Sequence, residues 1–444
     1  MGGAFHLTDT SILIIESNQS SFAVEQHSLA LAASTAFAGG ALYSTSASEV
    51  HIKTTRVTPH LSIIGNSAVR GGGAFFERSS WHVGAGVSFP DELEGMLPCP
   101  VLQEQSACPI REKDQTLCHS DRCIVAIHQN SASAEGGGLF SLTSSLIAQA
   151  VCIEQNIASR GGGMASLLSN VHFQRSSFVD NRAVGSGGGA AFISSDTVSF
   201  DKVSLHRNSA GGSGGGISLD LPENANFTDL VAICNDALGG NGGAMYLAAA
   251  TGLAMQLSGA TVLSGNFAGL HGGALFLTST ASNSEAAPSV LNLAFARVLR
   301  DSPTDAGALR MSVQPLLATA ISSDDETSLT AAATLKFLVL GKLNMTANRA
   351  GGAGGGLACT STAVLIHSAY SSALTQNAAG TDGGAIALQK SCSVFVSNAT
   401  FALNAAGGGG AAISSCPTCS LATSYVEVLH NCAANSFGGG PTLG

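Results

Sequence analysis

The chain has 444 residues, 54 of them glycine, with 45% hydrophobic but only 11% charged residues. That hydrophobic share rules out a disordered tail, which could not bury enough apolar surface to offset chain entropy. A formal net charge of -10 with 19 Lys and Arg argues against nucleic acid as a partner, since phosphate neutralisation needs a basic stripe.

From the start, Met1-Gly2-Gly3-Ala4-Phe5-His6 lacks the basic and apolar regions of a secretory signal. No window of 18 consecutive apolar residues reads as a transmembrane helix. Instead a glycine pair or triplet followed by an apolar run recurs along the chain. Its last glycine falls at Gly40, Gly73, Gly138, Gly163, Gly189, Gly216, Gly243, Gly273, Gly356, Gly384, Gly410 and Gly440. The steps are 25, 26, 27 and 27 residues from Gly138 to Gly243, and 28, 26 and 30 after Gly356. This period matches one coil of a parallel β-helix and is too short for a propeller blade or a helical pair.

Upstream of the glycines stands Asn-x-Ala, at Asn66, Asn130, Asn156, Asn181, Asn208, Asn235, Asn266, Asn348, Asn377, Asn404 and Asn431. Three residues before each Asn is a mostly apolar residue, as at Ile63, Ile127, Ile153, Phe178, Leu205, Met345 and Phe401. The coil from Met164 to Gly189 reads as three strands, Met164 to Leu168, Val171 to Gln174 and Ser176 to Asp180. Period-two alternation turns the residues five and three before Asn inward. It turns those four before it (Ala126, Cys152, Ser177, Ser204 and Val231) outward. Gly supplies positive φ and a close backbone approach, and Asn an amide ladder between stacked coils. The expected fold is all-β: one right-handed, single-stranded parallel β-helix over residues 1–444, of about 13 rungs.

The pairing of Gly-Gly-Ala-apolar with Phe-x-x-Asn resembles the repeats of chlamydial polymorphic outer membrane proteins. It stands here as Gly272-Gly273-Ala274-Leu275, Gly383-Gly384-Ala385-Ile386, Phe178-Val179-Asp180-Asn181 and Phe401-Ala402-Leu403-Asn404. The resemblance implies a right-handed β-helical passenger, exported through a C-terminal barrel and used in adhesion to a host protein or glycan. It places the protein at the cell surface, at the outer membrane or outside the cell. The chain both begins and stops within the motif, so it reads as a segment of a larger protein.

Two insertions interrupt the period. The first, 78–123, carries Cys99, Cys108, Cys118 and Cys123 with Pro90, Pro98, Pro100 and Pro109. Four Cys allow three pairings, and their spacing lacks the paired Cys-x-x-Cys of a structural zinc site. A disulfide-stapled loop implies an oxidising compartment, and a long loop on a rigid column is a natural contact region. The second, 278–335, holds an acidic cluster at Asp324, Asp325 and Glu326, read as a solvated turn. It also holds a worn copy of the repeat, Val298 to Asp301 followed by Asp305 to Leu309, expected to add one degenerate rung. Further on, Cys416-Pro417-Thr418-Cys419 reads as a local disulfide or turn cysteines. Sequons stand at Asn18, Asn226, Asn344 and Asn398.

Several motifs fall away. The Gly-x-Gly patterns lack the strand, helix and acidic residue of a dinucleotide fingerprint. Gly211-Gly212-Ser213-Gly214 is followed by no Asp, as a calcium nonapeptide would require. No metal or cofactor is expected. The functional expectation is a non-enzymatic, adhesin-like scaffold. The rival is a β-helical enzyme acting on acidic polysaccharides, which needs carboxylates and a base on neighbouring coils. His128 and Glu154, with Asp180 and Arg207 beside them, are the only candidates for such a site.

Overall fold

The computed structural model describes residues 4–8, 10–17, 29–54, 61–84, 123–249, 255–279, 335–339, 341–390 and 392–434. Among them every regular element is a β-strand, and every pairing between those strands is parallel. The chain divides into two compact units. One comprises Met1–Pro222 with Val231–Gly239, the other Glu223–Leu230 with Gly240–Gly444.

The coil after Gly163 shows how the sequence makes a turn of the solenoid. It runs through Met164–Leu167, Asn170–Gln174, Ser177–Val179 and a short fourth strand, Arg182–Ala183. Each strand lies in register on its counterpart one coil later, Met164 on Ala190, Asn170 on Thr197, Ser177 on Ser204 and Arg182 on Ser209. Between the strands the chain bends at single left-handed residues, Leu168 (φ 51), Arg175 (φ 47) and Asp180 (φ 53). A left-handed non-glycine residue costs roughly 1–2 kcal/mol, so stacking on neighbouring coils must overcome that cost at every corner.

The glycine turn has two separate demands. Gly136 is left-handed, with φ 65. A Cβ on Gly137 would stand 2.1 Å from the carbonyl oxygen of Gly162 on the next coil, which no side chain permits. The third position of the turn accepts Ala, as at Ala244, Ala274 and Ala385, all fully buried. The first strand then enters with a buried aliphatic residue such as Leu139, Met164 or Ile386. In the first unit Val125, Val151 and Val203, with Ile127, Ile153, Phe178 and Leu205, are likewise fully buried.

The residues four before Asn, turned outward by alternation, are nonetheless covered. Ala126, Cys152, Ser177, Ser204 and Val231 are all buried. Alternation decides which side of a sheet a residue takes, not whether that side is bare. Cys152 carries a disulfide to Cys123, itself fully buried.

Among the described residues the sheet that opens each coil holds seven strands in the first unit and five in the second, slightly different from the expected count of about 13. Across the second insertion the described coils stack directly on one another. Leu275 lies directly in register with Leu357, and Asn266 donates from Nδ2 to Asn348 Oδ1 at 3.0 Å. Residues 280–334, with the worn copy, Asp324, Asp325 and Glu326, lie outside the described residues. The first insertion is shorter than its sequence boundaries. Ser80–Val83 is a strand held between Glu49–Ile52 and Ser145–Ala148, with Trp81 in the core. Cys99, Cys108 and Cys118 lie outside the described residues, as do Asn18 and Gly440.

Candidate functional site

The Asn column is a closed hydrogen-bond ladder in each unit. From Asn66 through Asn130, Asn156, Asn181 and Asn208, each residue donates its backbone N–H to the next side-chain oxygen at 2.9–3.1 Å. Each Nδ2 donates to the same oxygen at 3.0 Å, so the ladder reaches Asn235. In the second unit the same pattern joins Asn266, Asn348, Asn377, Asn404 and Asn431. The remaining Nδ2 hydrogen reaches back to the coil before, from Asn181 to Ile153 O at 2.8 Å and from Asn377 to Met345 O at 2.9 Å. Both hydrogens and both lone pairs of such an amide are therefore used, and most of the column is buried. These side chains build the fold and offer nothing to a ligand.

The ladder begins one coil earlier than the Asn pattern reveals. Ser34, three residues after Leu31, donates its N–H to Asn66 Oδ1 at 2.9 Å. The left-handed corner, by contrast, is the residue before each Asn. It is Gln129, Gln155, Asp180, Arg207, Cys234 and Leu403 on different coils, a column with no common side chain.

The four candidates for acid–base chemistry lie in the first unit. His128 and Glu154 are register partners on adjacent strands, Val125–His128 and Val151–Glu154. No hydrogen bond joins them among the described residues. Asp180 and Arg207, on successive corners, form a two-pronged ion pair, Nε to Oδ1 at 2.8 Å and Nη2 to Oδ2 at 2.7 Å. Two coils beyond Glu154 on the same column, after Val179, comes His206, which is buried.

Burial governs the charge states. It pushes the Glu154 carboxyl up to about 7, with Asp180 adding to the shift and Arg207 opposing it. Burial, then Arg207, pushes the His206 imidazole down to about 4. His128 is also lowered by burial. Glu154 Oε1, Ser177 Oγ, Ser204 Oγ and His206 Nε2 are buried without a hydrogen-bond partner, four polar atoms on three successive coils. His206, Ser177 and Ser204 were not candidates on sequence grounds. The signal was their place in the columns two and four before Asn, where polar residues gather.

The cysteines resolve differently from their sequence grouping. Cys123 pairs with Cys152 on the next coil and not with a cysteine of its own insertion, because the coil stack brings those Cα atoms to 5.8 Å. Cys359 pairs with Cys392, and Cys416 with Cys419. Cys234 is disulfide-bonded, and Cys432 is free and exposed.

Among the described residues no group of three or more His, Cys, Asp or Glu is arranged to hold a metal ion. No helix there is long and apolar enough to cross a membrane. Neither a family description, nor a curated protein, nor a solved structure matches this chain.

Proposed function

We propose that this β-helix is a non-enzymatic scaffold of the cell surface or extracellular space, adhesin-like, which mediates attachment to a host protein or glycan. The observation that carries this reading is that the repeated polar column is closed upon itself. The Asn amides satisfy one another, and beside them Asp180 neutralises Arg207. A column built this way gains rigidity and leaves its chemistry to whatever projects from it. Buried disulfides at Cys123–Cys152 and Cys359–Cys392 fit an oxidising compartment, which supports a location outside the cytoplasm. The first insertion is the contact region in this reading. Its carboxy-terminal foot is stapled to the column through Cys123.

The test is a deletion of residues 85–122 that keeps Cys123 and joins Gly84 to it by a short linker. Attachment to cells or arrayed glycans should drop while the far-ultraviolet spectrum stays that of a β-protein. Unchanged attachment moves the binding surface to the coil faces.

One observation favours the enzyme reading, the near-neutral acid Glu154 beside His128, because shifted carboxyls gather at catalytic sites. Screening polyuronates for unsaturated products, with Glu154→Gln as the control, separates the two. Turnover lost in that variant overturns the scaffold.

A further inference from the structure

A second side-chain column runs beside the Asn ladder, at the residue before the left-handed glycine of each turn. In the second unit it reads Asn241, His271, Ala353, Asp382 and Gly409. Three of these side chains accept the backbone N–H of the next residue in the column. Asn241 Oδ1 receives it from His271 at 3.0 Å, His271 Nδ1 from Ala353 at 2.9 Å, and Asp382 Oδ1 from Gly409 at 2.6 Å. An imidazole can hold that place only while it is neutral. The Ala353 N–H fixes its tautomer, with the proton on Nε2 and the lone pair on Nδ1.

The His271 ring is confined but not sealed. It stacks on Phe276 with 6.3 Å between centroids, and a Cβ on Gly352 would stand 2.7 Å from its Nδ1. Ala353 and Phe276 belong to one buried apolar cluster with Ala358 and Ala387, against which Tyr246 packs. The imidazole itself is half-buried, so protons from solvent reach it. Burial lowers it from its ordinary 6.5, with no charged group contributing. The groups that face it from the preceding coil and the packed strands, Asn241, Tyr246 and Phe276, are neutral. Asp382, the other ionisable group of this column, lies two coils on and is engaged by Gly409.

We propose that His271 is an acid-sensitive latch on the Ala353 segment, which proton uptake at Nδ1 releases, uncovering the apolar cluster of Phe276, Ala358 and Ala387. The added proton turns the acceptor into a donor and sets it against the Ala353 N–H. No carboxylate stands by to take up the new charge, so the ring must turn toward water. The opening is local. The Gly272 N–H still reaches Ala353 O at 3.0 Å, and the Gly352 N–H reaches Leu270 O at 2.6 Å. Loss of the proton restores the acceptor, so the latch closes again as pH rises. Asn241 and Asp382 do the same structural work at their own coils with oxygen acceptors. Only the coil of His271 places a group there that titrates near neutral pH.

Hydrogen exchange of the whole chain tests this, with rates corrected for the intrinsic effect of pH on exchange. Protection over Gly352 to Gly355 should fall about tenfold or more between about pH 7.5 and about pH 5, as for one hydrogen bond lost, and recover on return to neutral. An apolar fluorescent dye should bind over the same range. His271→Asn supplies the acceptor that Asn241 supplies one coil earlier, without a group that titrates, so its protection should stay high at both pH values. If that variant loosens the fold, the wild type still decides. Nitrogen NMR of the histidine-labelled protein should show the neutral Nε2–H tautomer at the higher pH, and a proton gained at Nδ1 in step with the loss of protection. Protection unchanged in acid overturns the proposal, and so does an equal fall in wild type and His271→Asn. A ring that takes up its proton while Ala353 stays protected overturns it as well.

Discussion

Asn181 gives two hydrogen bonds to one atom of Asn208, its Oδ1, from the backbone N–H at 3.1 Å and from Nδ2 at 3.0 Å. Asn181 Oδ1 receives the same pair from Asn156 on the other side. A side chain in this column needs an acceptor and a two-hydrogen donor on one short stem, and among the natural residues only Asn has both at that reach.

Asn181→Ala should therefore be far more damaging than its size change implies. It leaves the N–H and one Nδ2 hydrogen of Asn156 unpaired and takes from the Ile153 carbonyl the bond it accepts from Asn181, at roughly 1–3 kcal/mol for each buried group left unmatched. We expect a loss on the order of 3–5 kcal/mol by denaturant unfolding of the first unit. Asn181→Asp should lose as much, because it removes the donor and buries a charge. A loss below 1 kcal/mol would show that water fills the column.

The glycine turn predicts an ordering between adjacent positions. Gly137→Ala places a methyl 2.1 Å from Gly162 O and should cost about 3 kcal/mol or more, at the upper end for overpacking. Gly138→Ala occupies the place that Ala244 and Ala274 fill on other coils, so it should cost clearly less. Thermal unfolding of the two variants side by side reads the difference, and equal losses would refute this account of the turn.

What the sequence shows and what it hides follow the same physics. The Asn column and the glycine turn are legible because each place accepts almost one residue type, for a hydrogen-bonding reason in one case and a steric reason in the other. The left-handed corners are illegible, since any side chain that points away from the stack is tolerated there, from Gln129 to Leu403. Ser34 is missed because it fills a ladder place without an amide. The Cys123–Cys152 bond is missed because adjacency of coils, not spacing along the chain, sets which sulfurs meet.

The disulfides should separate by access. Cys123, Cys152, Cys359 and Cys392 are fully buried, while Cys416 and Cys419 are partly exposed. Under mild reductant without denaturant, alkylation and mass spectrometry should find Cys432 modified at once. Cys416 and Cys419 should follow, with the buried pairs resistant until unfolding. Replacing Cys359 and Cys392 by Ala opens a loop of sequence separation 33. On chain-entropy grounds this should lower stability by about 4 kcal/mol. Early reduction of the buried pairs would mean that the coils open locally.

The dependence of stability on pH should carry two opposed limbs from one column. Glu154 has its carboxyl pushed up from 4.5 to about 7 in the folded chain. Between those values the folded state keeps a proton that the unfolded state has released, so stability falls as pH rises through the window and is fully present below it. The whole shift corresponds to a loss on the order of 3 kcal/mol. His206 is pushed down from 6.5 to about 4. Its contribution is present above 6.5 and is lost as pH falls toward 4, because the unfolded chain takes up a proton that the folded one refuses. The groups that bear on the pair are Asp180 and Arg207, held together by their ion pair; Arg207 opposes the rise of Glu154 and reinforces the fall of His206, and Asp180 does the reverse. Other, half-buried histidines, His128 among them, are lowered as well, so the assignment rests on differences between variants. Glu154→Gln should abolish the fall between about pH 5 and 7, leaving the acid limb intact. His206→Gln should flatten the acid limb and leave the rise in instability toward neutral pH. Denaturant unfolding of the three proteins from pH 4 to 8 measures both limbs. A Glu154→Gln curve parallel to the wild type would show that this carboxyl reaches water and titrates normally.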